Sequence, residues 1–138
     1  MEDNGVKTKS NDYLTVNETI LLVDDEKSVL DLTCDMLGRN GYRTITAGSG
    51  EMAIEIYKRE KDQIDLVLLD VGMPGMDGHR CFEELLRINP EIKVVLATGY
   101  PAIGKVEETL AVGAAGFIGK PYRSADMVKK TREVLDKR

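Results

Sequence analysis

The chain has 138 residues, a net charge of −5 and a pI near 5.0. That length suits one domain with a core large enough to fold without disulfides or a structural metal, and the acidic balance argues against a nucleic-acid-binding face of clustered Lys and Arg. No apolar run approaches the ~18 residues of a membrane span and the N-terminus lacks a signal peptide's apolar core, so a cytoplasmic protein is expected.

Residues 1–17 are polar and aperiodic, a tail or linker ahead of a domain expected over 18–138. "TILLV" (19–23) is a continuous apolar run of the kind found in strands buried on both faces. A helical period follows, with Val29, Leu32, Thr33, Met36 and Leu37 on one face and Gly41 as the expected residue just past the helix end. "YRTITA" (42–47) reads as the second strand, and Ser49-Gly50 opens a second helix with Ala53, Ile56 and Tyr57 on one side. "DLVLLD" (65–70) is a third strand that ends on an aspartate, followed by the Gly/Pro-dense loop "VGMPGMDG" (71–78). A third helix carries Cys81, Phe82, Leu85 and Leu86, and "IKVVLAT" (92–98) is a fourth strand. A weaker helix is expected over 103–112, a fifth strand at "AGFIG" (115–119), and a last helix over 124–136 with Met127, Val128, Thr131, Val134 and Leu135 inward. The two cysteines, Cys34 and Cys81, sit apart among apolar residues and are expected to be reduced and buried.

Strands alternating with helices imply an α/β fold with a parallel sheet covered on both faces. For this length the economical solution is a five-stranded doubly wound sheet with five helices, flavodoxin-like in the strand order 2-1-3-4-5. In such sheets ligands bind at the carboxyl ends of the strands. Those ends carry Asp24 and Asp25 after strand one, Asp70 after strand three, Thr98 after strand four and Lys120 after strand five. Each has a bland explanation taken singly: Asp25 as a helix cap, Asp70 as a turn residue, Thr98 as a cap, Lys120 as a solvated charge. Together they make three carboxylates that repel unless a cation joins them. A hard divalent ion with oxygen ligands answers that need, and magnesium, with manganese as an alternative, suits it better than calcium or zinc. The one histidine, His79, lies at a loop-to-helix junction and is expected to face solvent. A carboxylate beside such an ion, with an ammonium and a hydroxyl near it, can attack phosphorus and form an aspartyl phosphate.

"LLVDDE", "LVLLDVGMPGMDG", "VVLATGY" and "GAAGFIGKP" together resemble the response-regulator receiver domain of two-component signalling, from about Thr19 to the end of the chain. The resemblance implies that Asp70 accepts a phosphoryl group from a histidine kinase or histidine phosphotransfer domain. It implies that Asp25 binds magnesium directly, that Asp24 acts through water, and that the backbone carbonyl of Gly72 completes the protein's share. Thr98 would hydrogen-bond the phosphoryl group, Lys120 would pair with it, and Lys120-Pro121 would be a cis peptide. The family's switch aromatic aligns with Phe117, which cannot hydrogen-bond, so readout would rest on packing at the surface of helix four, strand five and helix five. Gly72 stands where many relatives carry a polar side chain, which leaves the phosphate lifetime open. The implied protein is a switch that catalyses only its own phosphorylation and dephosphorylation. It would act on an unknown downstream protein as a monomer or a phosphorylation-dependent homodimer, with no nucleic-acid contact through this chain. The opening and "ATGYP" resemble receivers fused to hybrid histidine kinases.

Other motifs carry less. "GSGEMA" (48–53) matches a dinucleotide fingerprint but leaves Asp24, Asp25 and Lys120 idle; Ser49 as a cap of the second helix accounts for it. "AAGFIGKP" fails as a phosphate-binding loop because Ala114 and Pro121 replace the needed Gly and Ser/Thr. The rivals to the switch are a metal-dependent phosphohydrolase working through an aspartyl phosphate and a pseudo-receiver that works without phosphorylation. Gly72, where such hydrolases carry a second acid, counts against the first, and an intact Asp70, Asp25 and Lys120 against the second.

Overall fold

The computed structural model describes residues 16–72, 78–98 and 113–137. Five strands, β1 (Thr19–Val23), β2 (Arg43–Ala47), β3 (Leu66–Asp70), β4 (Val94–Thr98) and β5 (Gly116–Gly119), form one parallel sheet in the order β2-β1-β3-β4-β5. The helices are α1 (Lys27–Gly38), α2 (Gly50–Glu60), α3 (Gly78–Ile88) and α4 (Ser124–Asp136). The strand order is the expected flavodoxin-like one. The helix expected over 103–112, the tail 1–15 and loop residues 73–77 lie outside the described residues, so the helix expected as the fifth is α4 here.

The apolar runs are continuous because the three central strands are covered on both sides: β1, β3 and β4 are buried at every position. Alternate residues divide between two cores. Leu21, Val23, Val67, Leu69, Val94 and Leu96 pack with Ala53, Tyr57, Phe82 and Leu85 of α2 and α3. Ile20, Leu22, Leu66, Leu68, Val95 and Ala97 pack on the other face with Leu37 of α1 and Met127 and Val134 of α4. Each fully buried Leu, Ile or Phe contributes about 1.5–3 kcal/mol of hydrophobic stabilisation. β2 and β5 are the sheet's two edges, and β5 is the shortest strand, with Phe117 46% exposed.

The helices show where periodicity was a sound guide. Ser49 caps α2 by accepting from Met52 N–H at 3.1 Å, and Ala53, Ile56 and Tyr57 are buried as expected. In α3, Cys81, Phe82 and Leu85 are buried, with Leu86 partly so. In α1 the expected face is rotated: Thr33 and Leu37 are buried and Leu30 and Cys34 pack against them, while Leu32 is 55% exposed. The sheet selects the Leu30–Thr33–Cys34–Leu37 stripe, and Leu32 lies about 100° round the helix from Thr33. Cys34 is thus half-buried, and both cysteines are free thiols. Gly41 takes a left-handed φ of 93°, two residues past the C-cap Arg39, where the chain turns into β2. His79 is mostly covered, its side chain 24% exposed and 3.6 Å from Glu83, not turned to solvent.

Packing begins before β1. Val16 lies against the α1/α4 core, and Glu18 takes a two-pronged contact from Arg132 of α4, at 3.3 Å and 2.8 Å. Among the described residues no helix is long and apolar enough to cross a membrane.

Candidate functional site

The carboxyl ends of β1 and β3 lie side by side because the two strands are hydrogen-bonded neighbours, with Val23 opposite Leu69. The next residue on each strand is acidic. One oxygen each from Asp24, Asp25 and Asp70 fall within 4.8 Å of one another. Asp24 and Asp70 are buried, at 4% and 6% exposure, whereas Asp25 is exposed. The expected assembly of three carboxylates at one sheet edge is present, and its donors are all oxygens, the ligand set of a hard divalent cation.

Local hydrogen bonds fix each acid. Asp24 N–H donates to Ala47 carbonyl at 3.1 Å, and its Oδ1 accepts from Glu26 N–H at 2.9 Å. That turn places Glu26, not Asp25, at the N-cap of α1, which leaves the Asp25 carboxylate out of the capping role. Asp70 Oδ1 accepts from Gly72 N–H at 3.0 Å, while Val71 N–H donates to Ala97 carbonyl and holds the turn against β4. Among the described residues, a Cβ on Gly72 would meet only Asp70 Oδ1, at 3.6 Å, an ordinary contact.

Lys120 supplies the positive charge. Its Nζ lies 2.9 Å from Asp24 Oδ2, 3.5 Å from Asp70 Oδ2 and 3.7 Å from Glu26 Oε1. Its backbone N–H donates to Thr98 carbonyl at 2.7 Å, and Lys120-Pro121 is the expected cis peptide. Burial works against the Lys120 ammonium, but the hydrogen bond to Asp24 and the charges of Asp70, Asp24 and Glu26 outweigh it and hold its pKa above the lysine value. Burial raises the Asp70 carboxyl above the usual carboxylate range; the Gly72 N–H opposes this, Asp24 repulsion adds to it, and Lys120 relieves part of it.

Thr98 is buried at the end of β4, beside Asp70 through the β3–β4 register and opposite Gly119. Phe117 pairs with Leu96, so it lies diagonally from Thr98 on the same sheet face. Two supports were not read from the sequence. A Cβ on Gly78 would stand 2.3 Å from Val71 Cα and 2.7 Å from Asp70 carbonyl, so only glycine lets α3 start this close to the Asp70 turn. Tyr122 hydroxyl lies 2.7 Å from Thr33 Oγ1, which also donates to Val29 carbonyl. This ties the segment after Lys120 to α1.

Comparison with known proteins agrees with this architecture. The family model of the response regulator receiver domain matches residues 20–132. The chain is 35% identical over 118 residues to sporulation initiation phosphotransferase F of Bacillus subtilis (strain 168), covering 83% of this chain and 94% of that one. It is 33% identical to sensor kinase CckA of Brucella abortus (strain 2308), covering 90% of this chain but 13% of that protein. A chain in the crystal structure of the CheX-CheY-BeF3-Mg2+ complex from Borrelia burgdorferi superposes with a TM-score of 0.82 at 30% identity, over 87% of this chain and 90% of that chain. Of several other curated relatives this chain spans less than half the length. The chain belongs to the response regulator receiver domain family, the phospho-accepting switch module of two-component phosphorelays.

Proposed function

We propose that Asp70 is the residue that accepts the phosphoryl group, and that Asp24, Asp25, Asp70 and the backbone carbonyl of Gly72 hold the magnesium ion, or manganese in its place, on which transfer depends. The observation that carries this reading is the convergence of three carboxylate oxygens within 4.8 Å of one another beside the Lys120 ammonium. When bound, the ion supplies charge neutralisation for the transferring phosphoryl group. The remaining roles fall to the chain. Asp70 offers a carboxylate oxygen as nucleophile, its other side steadied by the Gly72 N–H. Lys120, freed from Asp24, pairs with the phosphoryl oxygens, and Thr98 donates a hydrogen bond to them.

The donor is a histidine kinase or histidine phosphotransfer domain, and the chain works in the cytoplasm. Its catalysis is confined to its own aspartyl phosphorylation and hydrolysis. Recruitment of Thr98 and Lys120 to the phosphoryl group alters packing around Phe117, β5 and α4, and so alters affinity for a downstream protein or for a second copy of the chain. A switch of this kind works through a difference in affinity between its states, typically about 1–3 kcal/mol. Residues 18–138 form the switch, and residues 1–17 are a tail or linker. The test is incorporation of one phosphoryl group from a small-molecule phosphodonor. It is expected with magnesium, absent after chelation, and absent in Asp70→Asn.

A further inference from the structure

Glu26 occupies the N-cap of α1 with extended backbone, the place where Ser, Thr, Asp or Asn ordinarily accepts from the helix's first N–H groups. Its side chain makes no capping bond. The Oε1 atom instead lies 3.7 Å from Lys120 Nζ, the same ammonium that stands 3.5 Å from Asp70 Oδ2. The backbone beneath it is fixed: Glu26 N–H donates to Asp24 Oδ1, and its carbonyl accepts from Val29 and Leu30 N–H at 3.1 Å each. The Glu26 side chain is 61% exposed, against 6% for Asp24 and 8% for Asp70. It is therefore an exposed anionic group beside the same Lys120 ammonium that faces Asp70.

Resting on the reading of Asp70 as phosphoacceptor, we propose that Glu26 sets the site's preference among phosphodonors by charge, disfavouring dianionic donors relative to monoanionic ones. In either transfer an oxygen of the Asp70 carboxylate bonds to phosphorus. With acetyl phosphate, the phosphorus–oxygen bond to the acetyl group breaks and its electron pair leaves with acetate. With phosphoramidate, the phosphorus–nitrogen bond breaks and the already protonated nitrogen leaves as ammonia. Both reactions yield the same aspartyl phosphate, but acetyl phosphate arrives as a dianion and phosphoramidate as a monoanion.

The two Lys120 contacts, laid end to end, leave at most about 7 Å between the Glu26 and Asp70 carboxylates; two unit charges in water at that distance interact by about one RT, or about threefold in rate per charge. Removing the Glu26 charge relieves a dianion by one step more than a monoanion. The interaction passes through solvent, so it weakens when the Debye length falls from about 10 Å at 0.1 M salt to about 3 Å at 1 M.

The experiment measures initial phosphorylation rates of the full chain with acetyl phosphate and with phosphoramidate, at saturating magnesium and at low and high salt. In Glu26→Gln the ratio of the acetyl phosphate rate to the phosphoramidate rate is expected to rise about threefold at low salt, and in Glu26→Lys about sevenfold, both gains shrinking toward unity at 1 M salt. An unchanged ratio in both variants, or a gain that persists undiminished at 1 M salt, overturns the proposal while leaving Asp70 as acceptor. Failure of both donors to label the wild-type chain overturns the Asp70 reading and this proposal with it.

Discussion

In the unphosphorylated chain Lys120 rests closer to Asp24 than to Asp70: its ammonium is 2.9 Å from Asp24 Oδ2 and 3.5 Å from Asp70 Oδ2. The repulsion among three clustered acids is thus partly met by a side chain of the protein itself, which a divalent ion must share or displace. Replacing Lys120 with methionine removes that competitor. Magnesium is expected to bind about tenfold more tightly to Lys120→Met, measured by calorimetric titration, while phosphorylation slows. Weaker magnesium binding in the variant would show that Lys120 does not compete with the ion.

Gly72 brings no side chain of its own to the flank of Asp70, and among the described residues a Cβ there meets only Asp70 Oδ1, at 3.6 Å. Gly72→Leu is expected to fold with a stability within about 0.5 kcal/mol of the wild type. By covering the approach to the acyl phosphate it should lengthen the phosphorylated lifetime several-fold, followed as loss of label after donor removal. Its magnesium affinity should be unchanged, because the ligand proposed there is a backbone carbonyl.

Gly78 gives the opposite result at a position six residues on. A Cβ there would overlap the backbone of Val71 and Asp70, atoms that cannot rotate away. Gly78→Ala is expected to lose about 2–3 kcal/mol in urea denaturation, and to label poorly because the Asp70 turn is displaced. Wild-type stability in this variant would contradict the close approach.

The Glu18–Arg132 pair locks the segment entering β1 to α4. The Arg132 hydrogen bond is the chief cause that holds the Glu18 carboxyl below its usual pKa, burial opposing it. A carboxyl lowered in the folded state adds stability above its unfolded pKa and loses it as pH falls through the folded value. Glu18→Gln should therefore melt below the wild type at pH 7, and the two curves should converge as pH drops below the ordinary carboxylate range. A gap in melting temperature that persists at pH 2 would assign the effect to packing.

Much of this architecture is legible in the sequence, for reasons that lie in particular residues. The runs 20–23, 66–69 and 94–97 are apolar throughout because their strands are buried on both faces, and alternation would have signalled an open face. Asp24, Asp25, Asp70, Thr98 and Lys120 could be collected in advance because each ends or follows a strand, and parallel strands deliver their ends to one edge. Contacts set by side-chain direction were not legible. Glu26 reads as one more acid after a strand until its carboxylate is seen beside Lys120. The Thr33–Tyr122 bond joins residues 89 apart along the chain. Leu32 shows the limit of periodicity: the spacing fits a helix, but the buried stripe is chosen by the sheet it meets. The glycine of "MDGHR" was visible, and what it avoids, the backbone of Val71, was not.

The most direct measurement of the central claim is reductive trapping of the phosphorylated chain followed by peptide mapping. Borohydride converts an aspartyl phosphate to homoserine and so marks the acceptor. Conversion is expected at Asp70 alone, only in samples given phosphodonor and magnesium. Conversion at Asp24 or Asp25, or labelling of Asp70→Asn equal to the wild type, would contradict it.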